Sequence, residues 1–228
     1  MTGTIVFPRS PWPAGHVLTE SVWRGHLDDR GLWFDFHLRS APYPRGSDDE
    51  DEEEEEDFDS DWASPGVWQN YGGCLLSSLH WPSAFTGIRV GDAERPFDLA
   101  HLSRLRAEPL PAQATMHHLE GPERSIGLYL FGHSTAADHD LRFTRRGKTF
   151  DLSWRARISL AFGKPKAGEF ASPFSERFEL RATGLRFAGF EVADGLPIDV
   201  AKDLMQLYTV DAGAYRFDAR HGRFAWRG

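Results

Sequence analysis

The chain has 228 residues, with 34 acidic and 26 basic side chains and a net charge of −8. Its one cysteine, Cys74, excludes an internal disulfide and any CxxC metal or redox site. Its longest uncharged stretch, Trp62 to Ile88, is too rich in Ser, Gly, Pro, Asn and Gln to supply the about 20 mostly apolar residues of a membrane span.

Met1 to Ala14 holds Arg9 and three prolines and has no apolar h-region, so no signal peptide is expected. The expected compartment is the cytoplasm. A hairpin follows. Leu32, Phe34, Phe36 and Leu38 alternate with Trp33, Asp35, His37 and Arg39, the period of a half-buried strand. Asp28-Asp29-Arg30-Gly31 supplies the turn. Pairing Leu27 with Leu32 sets Trp23 opposite Phe36 and Arg24 opposite Asp35, which predicts an apolar face and an ion pair behind it.

Residues 48 to 61 carry twelve carboxylates. Without them the remainder has 22 acidic residues (34 − 12) against 26 basic, a net +4. Such a run repels itself and has no apolar surface to bury. A disordered loop over about 45–66 is therefore expected, inside one β-rich domain spanning 1–228. Its ten consecutive acids are Asp48, Asp49, Glu50, Asp51, Glu52, Glu53, Glu54, Glu55, Glu56 and Asp57. They are the candidate attachment for a basic protein.

Further along, Asp98 to Ala107 reads as a helix with Asp98 as N-cap. Ile126 to Phe131 is a short apolar run. Phe150, Leu152, Trp154, Ala156, Ile158, Leu160 and Phe162 alternate with polar residues, the strongest strand pattern in the chain. Arg145-Arg146-Gly147-Lys148 is the turn before it, and Gly163 to Pro173 the loop after it. Phe178, Leu180 and Ala182 are expected to pair across Thr183-Gly184 with Leu185, Phe187 and Gly189. Asp199 to Tyr208 reads as a helix with Val200, Leu204, Leu207 and Tyr208 on one stripe. A last hairpin joins Tyr215 and Phe217 to Phe224 and Trp226. Strands linked by short turns predict a mainly β (α+β) fold, an antiparallel meander or β-sandwich with one or two short helices.

The motifs of catalysis are sparse. Gly132-His133-Ser134-Thr135-Ala136 after the run 126–131 resembles the nucleophile elbow of α/β-hydrolases, in which a strained strand-to-helix turn exposes a serine. Asp194 or Asp211 and then His221 follow in that family's order. The resemblance covers eleven residues, has Ala136 where the family has Gly, and requires a helix that Ala136 to Arg145 does not predict. His133 and His139 with Asp138 and Asp140 are the densest histidine group. No HExxH, finger spacing, GxGxxG or P-loop occurs. The EF-hand-like opening Asp57 to Asp61 fails where Trp62 and Trp68 stand. No cofactor and no metal is expected.

Outward positions of the meander are basic: Arg142, Arg155, Arg157, Arg177, Arg181 and Arg186, diluted by Asp151 and Glu179. The expected hairpin sets Arg181 opposite Arg186, an unfavourable like-charge pair. Arg155, Arg157, Arg181 and Arg186 are therefore the candidate face for an anionic partner. Nucleic acid is not expected, because +4 is weak for that purpose and the acidic run repels phosphates. Trp23, Trp154 and Trp226 read as core, while Trp33 and Trp62 are better candidates for exposure; a sugar platform would use them, but core is the usual place of Trp. The functional expectation is a soluble, non-catalytic protein-binding or regulatory module. An immunity- or antitoxin-like version rests on the charge analogy alone. The alternative is a hydrolase using Ser134 or the His133/His139 segment. A pocket joining Ser134 to His221, or His133 to His139 and an acid, would favour it.

Overall fold

The computed structural model describes residues 1–44, 62, 65–80, 84–111, 124–130, 133–159 and 174–227. The acidic run 48–61, the pair His117 and His118, Leu160, Phe162 and the expected loop over 163–173 lie outside them.

The first hairpin forms in the expected register. β2 (His16–Asp28) pairs with β3 (Gly31–Ser40), with Leu27 opposite Leu32, Trp23 opposite Phe36 and Arg24 opposite Asp35. Its turn is held by Asp28 Oδ1, which accepts the amide N–H of Arg30 and of Gly31, each at 2.9 Å. The expected ion pair behind it is absent. Arg24 instead reaches Glu191 at 2.7 Å.

Eight strands close into an antiparallel barrel around this hairpin. In chain order the ring uses β1 (Thr2–Val6), β2, β3, β4 (Leu75–Ser77), β7 (Gly127–Tyr129), β8 (His133–Arg146), β9 (Thr149–Ser159) and β10 (Glu176–Leu185). Around the ring the neighbours run β1-β10-β9-β8-β7-β4-β3-β2 and back to β1. The barrel is filled by its own side chains, as eight strands permit. Trp23 packs on Phe143 and Phe150, each at 5.2 Å between ring centroids. Trp154 packs on Phe36 at 5.1 Å and on Phe178 at 6.0 Å. All are buried, and the strict alternation of β9 puts Phe150, Leu152, Trp154, Ala156 and Ile158 inside as expected.

The β2–β3 hairpin is longer than the ring and carries further strands of the same sheet. Beyond the part of β2 that meets β1, residues Trp23 to Leu27 pair in parallel with β11 (Phe187–Val192). β13 (Arg223–Trp226) and β12 (Tyr215–Asp218) extend that edge, and β5 (Ile88–Gly91) pairs with the start of β3. Gly25 marks the crossing: a Cβ there would lie 2.4 Å from the Phe190 ring and 2.5 Å from the Trp33 carbonyl. β6 (Arg104–Ala107) joins the other side of the barrel, on β8. Helix α1 (Pro65–Gln69) is little more than one turn, and α2 (Ile198–Tyr208) is the longer of the two α-helices among the described residues. Tyr208 ties α2 to the first hairpin through its hydroxyl, which donates to the Asp29 carbonyl at 2.8 Å. Among the described residues no helix is long and apolar enough to cross a membrane.

Four local expectations are corrected. Thr183-Gly184 is a bulge inside β10, not a hairpin turn: Gly184 takes φ +71° and the register with β9 shifts between Ala182 and Leu185. Asp98 caps a turn by accepting the amides of Ala100 and His101, but a strand follows it, because Arg104-Leu105-Arg106-Ala107 alternates with the period of β6. Helix α2 buries Ala201, Met205 and Tyr208, one position round from the expected stripe, and leaves Val200 and Leu207 exposed. Trp33 and Trp62 are buried, so they form no exposed platform.

Candidate anion-binding site

The site is built on a bulge in β8. Ala137 pairs with Arg157 and Asp140 pairs with Arg155, so Asp138 and His139 together face Ala156 alone. Two residues opposing one swing the following side chains to the other face. Before the bulge Ser134 and Ala136 point inward, and after it Leu141 and Phe143 do. Asp138 absorbs the turn at φ +55°, a left-handed conformation that aspartate tolerates better than most residues. Its amide donates to the Glu108 carbonyl at 2.7 Å.

The bulge buries His139 completely at the side chain. Trp154 Nε1 donates to His139 Nδ1 at 3.1 Å. An indole nitrogen can only donate, so Nδ1 holds the lone pair and Nε2 carries the proton. Nε2 lies 3.4 Å from Glu108 Oε2, off the alignment of a hydrogen bond. Glu108 Oε1 accepts the Ser125 amide. His139 is thus a packed, oriented core histidine shielded from solvent.

The outer wall is dominated by arginine. Arg104 grips Asp140 with both arms of its guanidinium, at 2.6 and 2.9 Å. Arg142 lies 3.5 Å from the same carboxylate. These contacts, the Arg104 hydrogen bond foremost, hold the Asp140 carboxyl below the usual aspartate range. Arg106 stands directly opposite Asp140 across β6 and β8. On β9, Arg155 finds Glu179 at 3.4 Å. Arg157 donates from Nε and Nη2 to the Phe174 carbonyl, at 3.1 and 2.9 Å.

Two features stand out. Arg157 lies directly opposite Arg177 across β9 and β10, a like-charge juxtaposition that is unfavourable in isolation. Exposed Arg106 and Arg177 have no carboxylate at ion-pair distance among the described residues. Both line an open pocket of about 370 Å³, together with Arg155, Arg157, His139, Ala156 and Phe178. Among the described residues Asp138 and Asp140 complete its charged lining, four arginines against two aspartates, a formal +2.

Of the expected basic face, Arg155 and Arg157 lie at this pocket and Arg181 and Arg186 do not. Arg181 faces Ser153 and Thr4, and Arg186 follows the end of β10, because the predicted hairpin between them does not exist. Asp48, Asp49, Glu50, Asp51, Glu52, Glu53, Glu54, Glu55, Glu56 and Asp57 are outside the described residues. The hydrolase residues are scattered. His133 opens β8, opposite Tyr129. Ser134 is buried within the strand with no partner for its hydroxyl, and β8 runs on to Arg146 with no helix behind the serine. His221 sits in the β12–β13 turn, 2.7 Å from Asp218. Neither Ser134 nor His221 lines the pocket that reaches His139. Among the described residues no group of three or more His, Cys, Asp or Glu could hold a metal ion.

A second polar cluster lies on the outer face of β3. Buried Asp35 accepts from His26 Nδ1 at 2.7 Å and from Ser78 Oγ at 2.8 Å. His26 stacks on Trp33, with ring centroids 5.9 Å apart. The separation of His26 from His37 agrees with the predicted register: His37 goes instead to Ser77 and Glu20. Sequence reasoning missed the Asp35 network, whose Ser78 is 43 residues away, and missed Arg104 and Arg106, assigned to a helix. Their period of two was the available signal. No family model, no curated protein and no solved structure matches the chain.

Proposed function

We propose that the protein is a non-catalytic binding module that takes an anionic group of a partner protein into the arginine pocket on β8, β9 and β10. The observation that carries this reading is that Arg106 and Arg177, exposed and with no carboxylate at ion-pair distance among the described residues, line one pocket. A bound anion would give both guanidinium groups a charge-assisted partner. The run of acids over 48–57 adds, by charge alone, attraction for basic groups of a partner. The non-catalytic reading is supported by the separation of Ser134 from His221, and by the burial of His139.

The test is binding of a labelled deca-glutamate peptide by fluorescence anisotropy at low ionic strength. The full chain should bind it, more weakly as salt is added, and the Arg157→Gln/Arg177→Gln double variant should not. Equal binding by both proteins would remove the pocket from the account. A deca-lysine peptide should bind the full chain. It should lose affinity when residues 48–61 are replaced by Gly and Ser, which moves the formal charge from −8 to +4. Labelling of the protein by a serine-reactive fluorophosphonate, lost in Ser134→Ala, would restore the hydrolase alternative.

A further inference from the structure

We infer that the anion this pocket is built for is a phosphate monoester, presented as a phosphorylated side chain of the partner. The inference rests on the reading of the pocket as an anion site and selects among anions on charge, donor direction and size. The described residues of the lining carry a formal +2. A carboxylate or a phosphodiester brings one negative charge, whereas a phosphate monoester brings about −1.5 to −2 near neutral pH, with three strong acceptor oxygens. A single guanidinium fork satisfies both oxygens of a carboxylate. Three terminal oxygens need donors from more than one direction. Here Arg106 arrives from β6 on one side of β8, and Arg177 arrives from β10, beyond β9 on the other side. Both line the same space.

The two lining carboxylates differ in a way that matters. Asp140 is held by Arg104 and Arg142, as Arg155 is by Glu179, so each of these two has its counter-charge outside the lining and the balance between them cancels. Asp138 has no arginine at ion-pair distance among the described residues and stands as a residual repulsion toward any anion. Finally, about 370 Å³ lies near the small end of ligand sites, which run from about 300 to 1,000 Å³. That volume suits one compact group. A nucleic-acid strand requires positive charge spaced along a groove.

The full-length protein would be titrated calorimetrically at low ionic strength with O-phosphoserine, with inorganic phosphate, with glutamate, and with an oligothymidylate lacking terminal phosphates. Phosphoserine and phosphate should compete for one site, and glutamate should bind about tenfold or more weaker. Arg177→Gln, an exposed change, should weaken phosphoserine about tenfold. Asp138→Asn, which keeps a residue at home in the left-handed conformation, should tighten it. Glutamate binding as tightly as phosphoserine would overturn the inference, as would phosphoserine affinity unchanged in both variants. An oligonucleotide that binds more tightly than phosphoserine would reassign the site to nucleic acid. If deca-glutamate binds and phosphoserine does not, the phosphate assignment fails while the anion site stands. If neither binds, both fail.

Discussion

On the wall made by β2, β3 and β4, the charged side chains meet complementary ones. Asp35 has His26 and Ser78, His37 has Ser77 and Glu20, and Arg24 has Glu191. On the wall made by β8, β9 and β10, Arg157 faces Arg177, and three arginines crowd around Asp140. The first set is paired charge to charge and reads as structure. The second leaves positive charge exposed over a pocket, and a fold has no stability reason to keep it. The difference separates polar groups that hold the barrel from polar groups that await something outside it.

The comparison can be broken by mutation. The largest effect should come from the core beneath the basic wall. Trp154 is fully buried and also supplies the hydrogen bond to His139, so Trp154→Ala should cost about 3–5 kcal/mol in denaturant unfolding. A loss under about 1 kcal/mol would mean that the ring packing described for β9 does not hold the barrel. Next comes the compensated wall. Asp35→Ala strands His26 and Ser78 against a buried gap and should cost about 2 kcal/mol. Little change there would erase the distinction between the two walls.

A smaller effect is tied to pH. Asp140 has its carboxyl held below the usual range by Arg104. A depressed folded value means that this stabilisation is complete above the ordinary aspartate value of 3.8. It is lost as pH falls through the folded value. Acid titration of wild type and Asp140→Asn should therefore converge at low pH, and curves that stay parallel would discount the pair. The smallest effect belongs to Arg177→Gln. Removing one of two facing arginines should leave stability within about 0.5 kcal/mol of wild type, or raise it slightly. A clear destabilisation would show that Arg177 is structural after all.

Legibility in the sequence followed the range of the interactions. The β2–β3 register, the inward face of β9 and the final hairpin were readable because neighbours in the sheet are neighbours in sequence, and period-two alternation sets the face. The Thr183-Gly184 step misled for the same reason. A Thr-Gly pair between apolar runs is a turn signal, and only the non-local partners β1 and β9 keep β10 extended through it. That one bulge removed Arg186 from its expected place opposite Arg181. The bulge at Asp138 and His139 had no local signal, since its cause is the single opposing residue Ala156 and the Glu108 carbonyl. Closure into a barrel was equally hidden, because the ring's defining contacts join its first and last strands.

Those contacts have a kinetic consequence. β1 is the first strand of the chain and β10 the last of the ring, and Thr2 pairs with Thr183. Contacts so distant in sequence bear the full entropy of loop closure before they bring any gain, and they slow folding. The hairpins β2–β3 and β8–β9 can assemble from local pieces. The ring itself cannot seal until residue 183 is available to residue 2. Until then β1 and β10 are open edges, the kind of template on which chains join one another. Refolding rate, and aggregation during refolding, should therefore depend on the N-terminal strand far more than its five residues suggest.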